Sequence, residues 1–222
     1  MTRFASILAR ARRRAGGAET LEAALPQPKT RAELSALADD RYLSVMSQRA
    51  FRAGLRHAMV DARWPAFEEV FFGFEPRRVR AMNDEDLERL MSDRRIIRHW
   101  GKIKAVRDNA AALIEVSGDN GGFGNYLAAW PGADIMGLWR DLGDRFRQIG
   151  GNSGPYFLRM VGKDTFLLTG DVVRALIAAG VVKRKPSTKD ERAATQTAFN
   201  DWAAETDRPL CHLSRILALS IG

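Results

Sequence analysis

Ile149-Gly150-Gly151-Asn152-Ser153-Gly154-Pro155-Tyr156-Phe157-Leu158 is the stretch whose reading decides the fold. One helix stops at the glycines, the glycines permit a tight hairpin, and Pro155 opens a second helix, because proline fits the first turn where no intrahelical N–H is needed. Such a hairpin presents the N–H groups of a helix N-terminus, which hold a phosphate oxygen well. Glycine spacing alone also fits a plain loop between packed helices. Read as a phosphate cradle, Gly151, Asn152, Ser153 and Gly154 form a candidate docking point on a nucleic-acid backbone.

The same grammar extends in both directions. Downstream, Gly162-Lys163-Asp164-Thr165-Phe166-Leu167-Leu168-Thr169-Gly170 leads to Asp171, which opens the apolar run Val172-Val173-Arg174-Ala175-Leu176. An Asp at that place is a natural helix N-cap. Upstream, Ile103, Val106, Ala110 and Leu113 mark one face of a longer helix that ends in the glycine-rich turn 118–124. Asn83 caps a helix with three acids in its first turn, Trp64-Pro65 starts another, and Asp39-Asp40 cap one through Leu43, Met46 and Ala50. Further helices are expected at about 134–148, 155–162, 171–180, 187–204 and 209–220. No run alternates with the period of a strand, so the class is all-α.

Bulk properties narrow the function. Lys plus Arg exceed Asp plus Glu by 35 to 27, giving a net charge of +8 and favouring a polyanionic partner. The single Cys211 excludes an intramolecular disulfide framework, and no cysteine cluster offers a zinc site. No segment has the run of about 20 apolar residues that a membrane span needs, so a cytoplasmic protein is expected. Arg3, Arg10, Arg12, Arg13 and Arg14 give residues 1–18 a basic character without acids. A solvated tail, a phosphate-binding arm and a targeting helix all fit them, and the tail is the simplest. Pro26 and Pro28 make a linker, so the domain is expected to run from 29 to 222, as one body or as two lobes.

The order of hairpin, helix, short apolar stretch and Asp resembles the helix-hairpin-helix DNA glycosylases. A second resemblance, to the DNA-3-methyladenine glycosylase I family, covers about residues 40–180. It is carried by Phe51-Arg52-Ala53-Gly54-Leu55, Phe74-Glu75-Pro76, Ala81-Met82, Asp86, Ile96-Ile97-Arg98-His99-Trp100-Gly101-Lys102-Ile103-Lys104-Ala105 and Asn109-Ala110. This resemblance implies an all-α helical bundle that binds duplex DNA as a monomer near the nucleoid. It implies removal of a damaged base, an alkylated purine first of all, with no cofactor. Asp171 is then the residue that stabilises the oxocarbenium-like sugar. Tyr42, Arg49, Phe51, His57, Trp64 and Tyr156 would surround the extruded base, since aromatic faces stack on bases and attract cationic ones. Lys102, Lys104 and Arg159 would join the hairpin in holding phosphates.

The departures from the family pattern are equally informative. Arg49 stands where the family commonly has a Glu that accepts a hydrogen bond from the base, and a guanidinium cannot accept one. His57 stands where a Trp is frequent. Zinc-containing members carry Cys and His ligands near both ends, whereas this chain has no N-terminal Cys and only Cys211 and His212 late, so no metal is expected. Tyr156 occupies the place of the Lys that forms a Schiff base in strand-cleaving branches, which leaves hydrolysis of the N-glycosidic bond as the expected chemistry. The competing reading is a protein that recognises distorted DNA without catalysis.

Overall fold

Apolar residues at helical spacing govern the whole chain, and the computed structural model, which describes residues 4–221, contains no strand among them. The helices are α1 (Phe4–Arg14), α2 (Ala18–Ala23), α3 (Arg31–Ala36), α4 (Asp39–Arg52), α5 (His57–Asp61), α6 (Trp64–Val70), α7 (Pro76–Arg80), α8 (Asp84–Leu90), α9 (Trp100–Asn120), α10 (Phe123–Ala129), α11 (Ile135–Arg145), α12 (Ser153–Val161), α13 (Gly170–Ala178), α14 (Lys189–Thr206) and α15 (Leu210–Ile221). They fall into two compact units. One comprises residues 29–130 and 138–163, the other 1–28, 131–137 and 164–222. Of the basic residues near the N-terminus, Arg3 lies outside the described residues.

The first of these units is organised around α9, against which α4, α7, α8 and α10 pack. Its core contains an aromatic stack: Phe67 lies 4.6 Å from Phe51 and 4.9 Å from Trp64, and Trp64 lies nearly parallel to Phe74 at 5.4 Å. Asn83 caps α8 in a reciprocal box with Asp86, as its sequence suggests. Asp39 differs from expectation. It sits in the first turn of α4, but its carboxylate accepts from the Phe123 N–H at 3.0 Å and so caps α10, a partner 84 residues away. Gly124 lets α10 approach α3, since a Cβ there would lie 2.2 Å from the Leu34 carbonyl oxygen.

The other unit corrects the reading of residues 1–28 as a tail and linker. Eleven residues form α1, whose Phe4, Ile7 and Ala11 are buried while Arg12, Arg13 and Arg14 face out. The apolar positions recur at i, i+3 and i+7, enough to seat a short helix on α15 and α14. Phe4 lies 5.6 Å from Trp202, and Phe166 stacks on Phe199 at 3.9 Å. The segment through Pro26 is held too. Its carbonyl oxygen is 2.9 Å from His212 Nε2, and Arg208 pairs with Glu22. Asp164 accepts from the N–H groups of Leu210 and Cys211, capping α15. The described residues before 29 are thus largely helical and packed, while residue 29 is where the other unit begins.

Candidate functional site

The hairpin between α11 and α12 is built as its glycines require. Gln148 and Gly151 both take left-handed backbone angles, and the Ser153 N–H closes the turn onto the Gly150 carbonyl at 3.2 Å. Close approach fixes two more positions. A Cβ on Gly143 would lie 3.3 Å from the Gly150 Cα, and one on Gly154 would lie 3.2 Å from the Ile149 carbonyl oxygen. Gly151 and Asn152 form the exposed tip, whereas Ser153 and Gly154 are buried under it. The latter two shape the cradle instead of lining its surface.

Asn109 is the hairpin's anchor, a role that sequence reasoning missed. This fully buried side chain on α9 donates to the Arg147 carbonyl at 3.0 Å and accepts from the Arg147 N–H at 2.7 Å. One amide thus satisfies both polar groups of a turn residue, as a neighbouring strand would. A polar residue directly preceding Ala110 on the apolar face of a helix was the available signal.

The six residues assigned to a base pocket separate into two groups. Tyr42 and Phe51 belong to the core, and Trp64 lies half-buried against it. The Tyr42 hydroxyl donates to the Leu34 carbonyl at 2.8 Å, and its ring meets Phe123 edge-on at 5.1 Å. Burial first, and then the charge of Asp39, push that phenol well above its ordinary pKa. Phe51 is fully buried, and Trp64 donates to Ser44 at 3.0 Å while Ser44 donates to Glu68. The fully buried rings of Tyr42 and Phe51 present no face to solvent, whereas Trp64 is partly exposed. His57 departs in the opposite sense: read from sequence as polar on a buried face, it is exposed at the start of α5, alongside Ala58 and Met59.

Arg49 and Tyr156 form the second group. The guanidinium of Arg49 lies over the Tyr156 ring, 4.8 Å from its centroid, joining α4 to α12. Its Nε is buried without a hydrogen-bond partner, and no carboxylate pairs with it among the described residues. Burial chiefly holds its pKa below the ordinary arginine value; Tyr156 opposes that shift and Arg52 adds to it.

Two further cations stand nearby. Arg52 is committed to Asp61 at 2.6 Å. Lys102 corrects an expectation, because it does not face a phosphate. It is 7% exposed, and its ammonium donates to the carbonyls of Ala53 at 2.7 Å and Phe51 at 3.3 Å, closing the C-terminal end of α4. Burial, and then the charge of Arg49, depress its pKa. Lys104, two residues on, is exposed, and Arg159 is half-buried in the last turn of α12.

Asp171 lies in the other unit, at the second position of α13. The cap of that helix is Thr169, whose hydroxyl accepts from the Val172 N–H at 3.3 Å. The Asp171 carboxylate is therefore not consumed by capping. It is half-exposed and paired with Arg174 one turn on, a surface ion pair of small energetic worth.

Comparison with known proteins gives these features a setting. A family model described as methyladenine glycosylase matches residues 35–144. The curated protein DNA-3-methyladenine glycosylase 1 of Escherichia coli (strain K12) is 42% identical over 65 residues, which is 29% of this chain and 35% of that protein. The chain thus matches only about a third of that relative's length. Among solved structures, the 3-methyladenine DNA glycosylase I of Staphylococcus aureus superposes with a TM-score of 0.53 at 22% identity, covering 62% of this chain and 80% of that one. A second 3-methyladenine DNA glycosylase I gives 0.51 at 23%, covering 62% and 82%. At such identities the structural likeness establishes the fold.

Proposed function

We propose, from the methyladenine glycosylase family to which residues 35–144 of this chain belong, that the protein is a DNA N-glycosylase of base excision repair. It binds duplex DNA as a monomer in the cytoplasm, at the nucleoid, flips a damaged purine out of the helix, and hydrolyses its N-glycosidic bond to leave an abasic site. The observation that carries this reading is the Asn109-anchored hairpin, whose tip at Gly151 and Asn152 leads into the N-terminus of α12. The Ser153 N–H is spent on Gly150 and Pro155 has none, so the backbone of the exposed tip, Gly151 and Asn152, is what meets a phosphate oxygen, and Lys104 and Arg159 add charge for the same partner.

In the chemical step the bond from the sugar C1′ to the base nitrogen breaks, and its electron pair leaves with the base. A water oxygen bonds to C1′ and gives up a proton. Asp171 stabilises positive charge on the sugar and takes that proton, a role open to it because Thr169 performs the capping. No lysine occupies the position of Tyr156, so no Schiff base forms there.

Release of free base from methylated duplex DNA by the wild type and by Asp171→Asn tests the proposal. The variant is expected to be slower by about 10²–10⁴-fold, the usual contribution of a positioned acid or base. Unchanged release would return Asp171 to a surface role, and no release by the wild type would leave a DNA-binding protein without catalysis.

A further inference from the structure

We infer that Arg49 makes the base site selective for purines carrying a carbonyl oxygen at position 6, such as damaged guanine or hypoxanthine, over alkylated adenine. The inference rests on the glycosylase reading and narrows its substrate. Arg49 is half-buried with no carboxylate partner, and its Nε–H, buried and unpaired, is costly to leave unsatisfied. The other charged groups around it do not relieve that cost. Arg52 is spent on Asp61, and Lys102 is a second cation spent on two backbone carbonyls. The complement missing from the site is an acceptor.

The chemistry of purine edges then discriminates. Guanine and hypoxanthine present O6 and N7, two acceptors at the spacing of an arginine fork, whereas adenine presents an N6 amino donor beside N7. Arginine has donors only, so an adenine edge sets donor against donor. An adenine made cationic by alkylation also meets the like charges of Arg49 and Lys102. Tyr156 contributes by stacking: with its ring centroid 4.8 Å from the guanidinium carbon, it limits how the fork can turn. Hypoxanthine is the neutral member of the favoured class with both acceptors free; 3-methylguanine keeps O6 and N7 but carries the same positive charge as 3-methyladenine, so that pair differs in the edge alone, and 7-methylguanine, with N7 blocked, falls outside the class.

The test uses the full-length protein on three duplexes: one with a single hypoxanthine, one of A·T pairs only and one of G·C pairs only, the last two methylated. Released bases are separated and quantified for the wild type, R49E and R49K. The wild type is expected to release hypoxanthine and 3-methylguanine at least about tenfold faster than 3-methyladenine, the scale of one good fork contact. R49E should reverse that order, and R49K, which keeps the charge but loses the fork, should flatten it.

Equal rates for the wild type, or an order unmoved in R49E, would overturn the inference while leaving the glycosylase reading intact. Equal loss on all three duplexes with a shallower salt dependence would overturn it by assigning Arg49 to a phosphate. No release of any base by the wild type would remove the glycosylase reading, and the inference with it. Should R49E fail to fold, R49Q takes its place, with loss of the 6-oxo preference expected and its retention decisive against the inference.

Discussion

The unit of residues 29–130 and 138–163 and the unit made from the rest of the chain both bury a cluster of aromatic rings, but they collect those rings differently. In the first, Phe51, Trp64, Phe67, Phe71 and Phe74 come from one short stretch of chain and stack within 4.6–6.4 Å of one another. In the second, Phe4, Phe166, Phe199 and Trp202 come from opposite ends of the sequence, with Phe199 and Trp202 at 5.7 Å. A core assembled from neighbours in sequence declares itself in local pattern. One assembled from distant segments hides in segments that look dispensable when read singly.

Phe4→Ala is the sharpest way to break that contrast. Phe4 is fully buried, like Phe67. Both truncations are expected to cost about 3–5 kcal/mol in urea unfolding, because each empties a packed aromatic site. A basic tail would give Phe4→Ala a cost within about 0.5 kcal/mol of zero, as for ordinary surface positions. Trp202→Phe sharpens the same point. The buried indole N–H has no partner, so the phenyl replacement should cost far less than Trp202→Ala.

Two glycines offer the next effect. Gly124→Ala would force apart α3 and α10, since its Cβ meets the Leu34 carbonyl carbon and oxygen, and a loss of about 1–3 kcal/mol is expected on thermal unfolding. Gly118→Ala, in α9 with nothing within 4 Å of its Cβ, should instead stabilise by up to about 1 kcal/mol. Equal effects at the two sites would mean that α10 and α3 relax freely, and that close approach does not explain Gly124.

What was legible in the sequence follows the same division. The helix of 84–90 with its Asn83 cap, the glycine end of α9 at Gly121 and the hairpin at 149–154 are all set by residues within one or two turns, and each was readable. The burial of Phe4 was not, because a short helix carrying four arginines gives no local reason to prefer packing over solvent. The candidate site shows both cases. Gly151 and Asn152 could be placed at a turn by type alone. Tyr42 could not be separated from Tyr156, since the acceptor that holds its hydroxyl in the core, the Leu34 carbonyl, lies on another segment. Lys102 looked like a surface cation until the carbonyls of Phe51 and Ala53 closed over its ammonium.

The smallest effect concerns a feature that both units share. Each begins some of its helices with a reciprocal box: Thr30 with Glu33 and Asn83 with Asp86 in one, Thr188 with Glu191 in the other. Glu191 is the most heavily used of these acids, accepting from the N–H groups of Ser187 and Thr188, the Ser187 hydroxyl and Arg184. Those bonds, the Thr188 and Ser187 N–H groups foremost, lower its pKa from 4.5 to about 2. A carboxylate with a depressed folded-state pKa stabilises fully above its unfolded value and loses that contribution as pH falls through the folded one. The melting temperature of the wild type should therefore exceed that of Glu191→Gln above pH 5, with the gap shrinking toward pH 2. A gap that stays constant across that range would mean that the ionised form contributes nothing beyond the hydrogen bonds a neutral amide can accept. In that case the box would be a steric and polar device in both units alike, and the difference between them would lie in their cores alone.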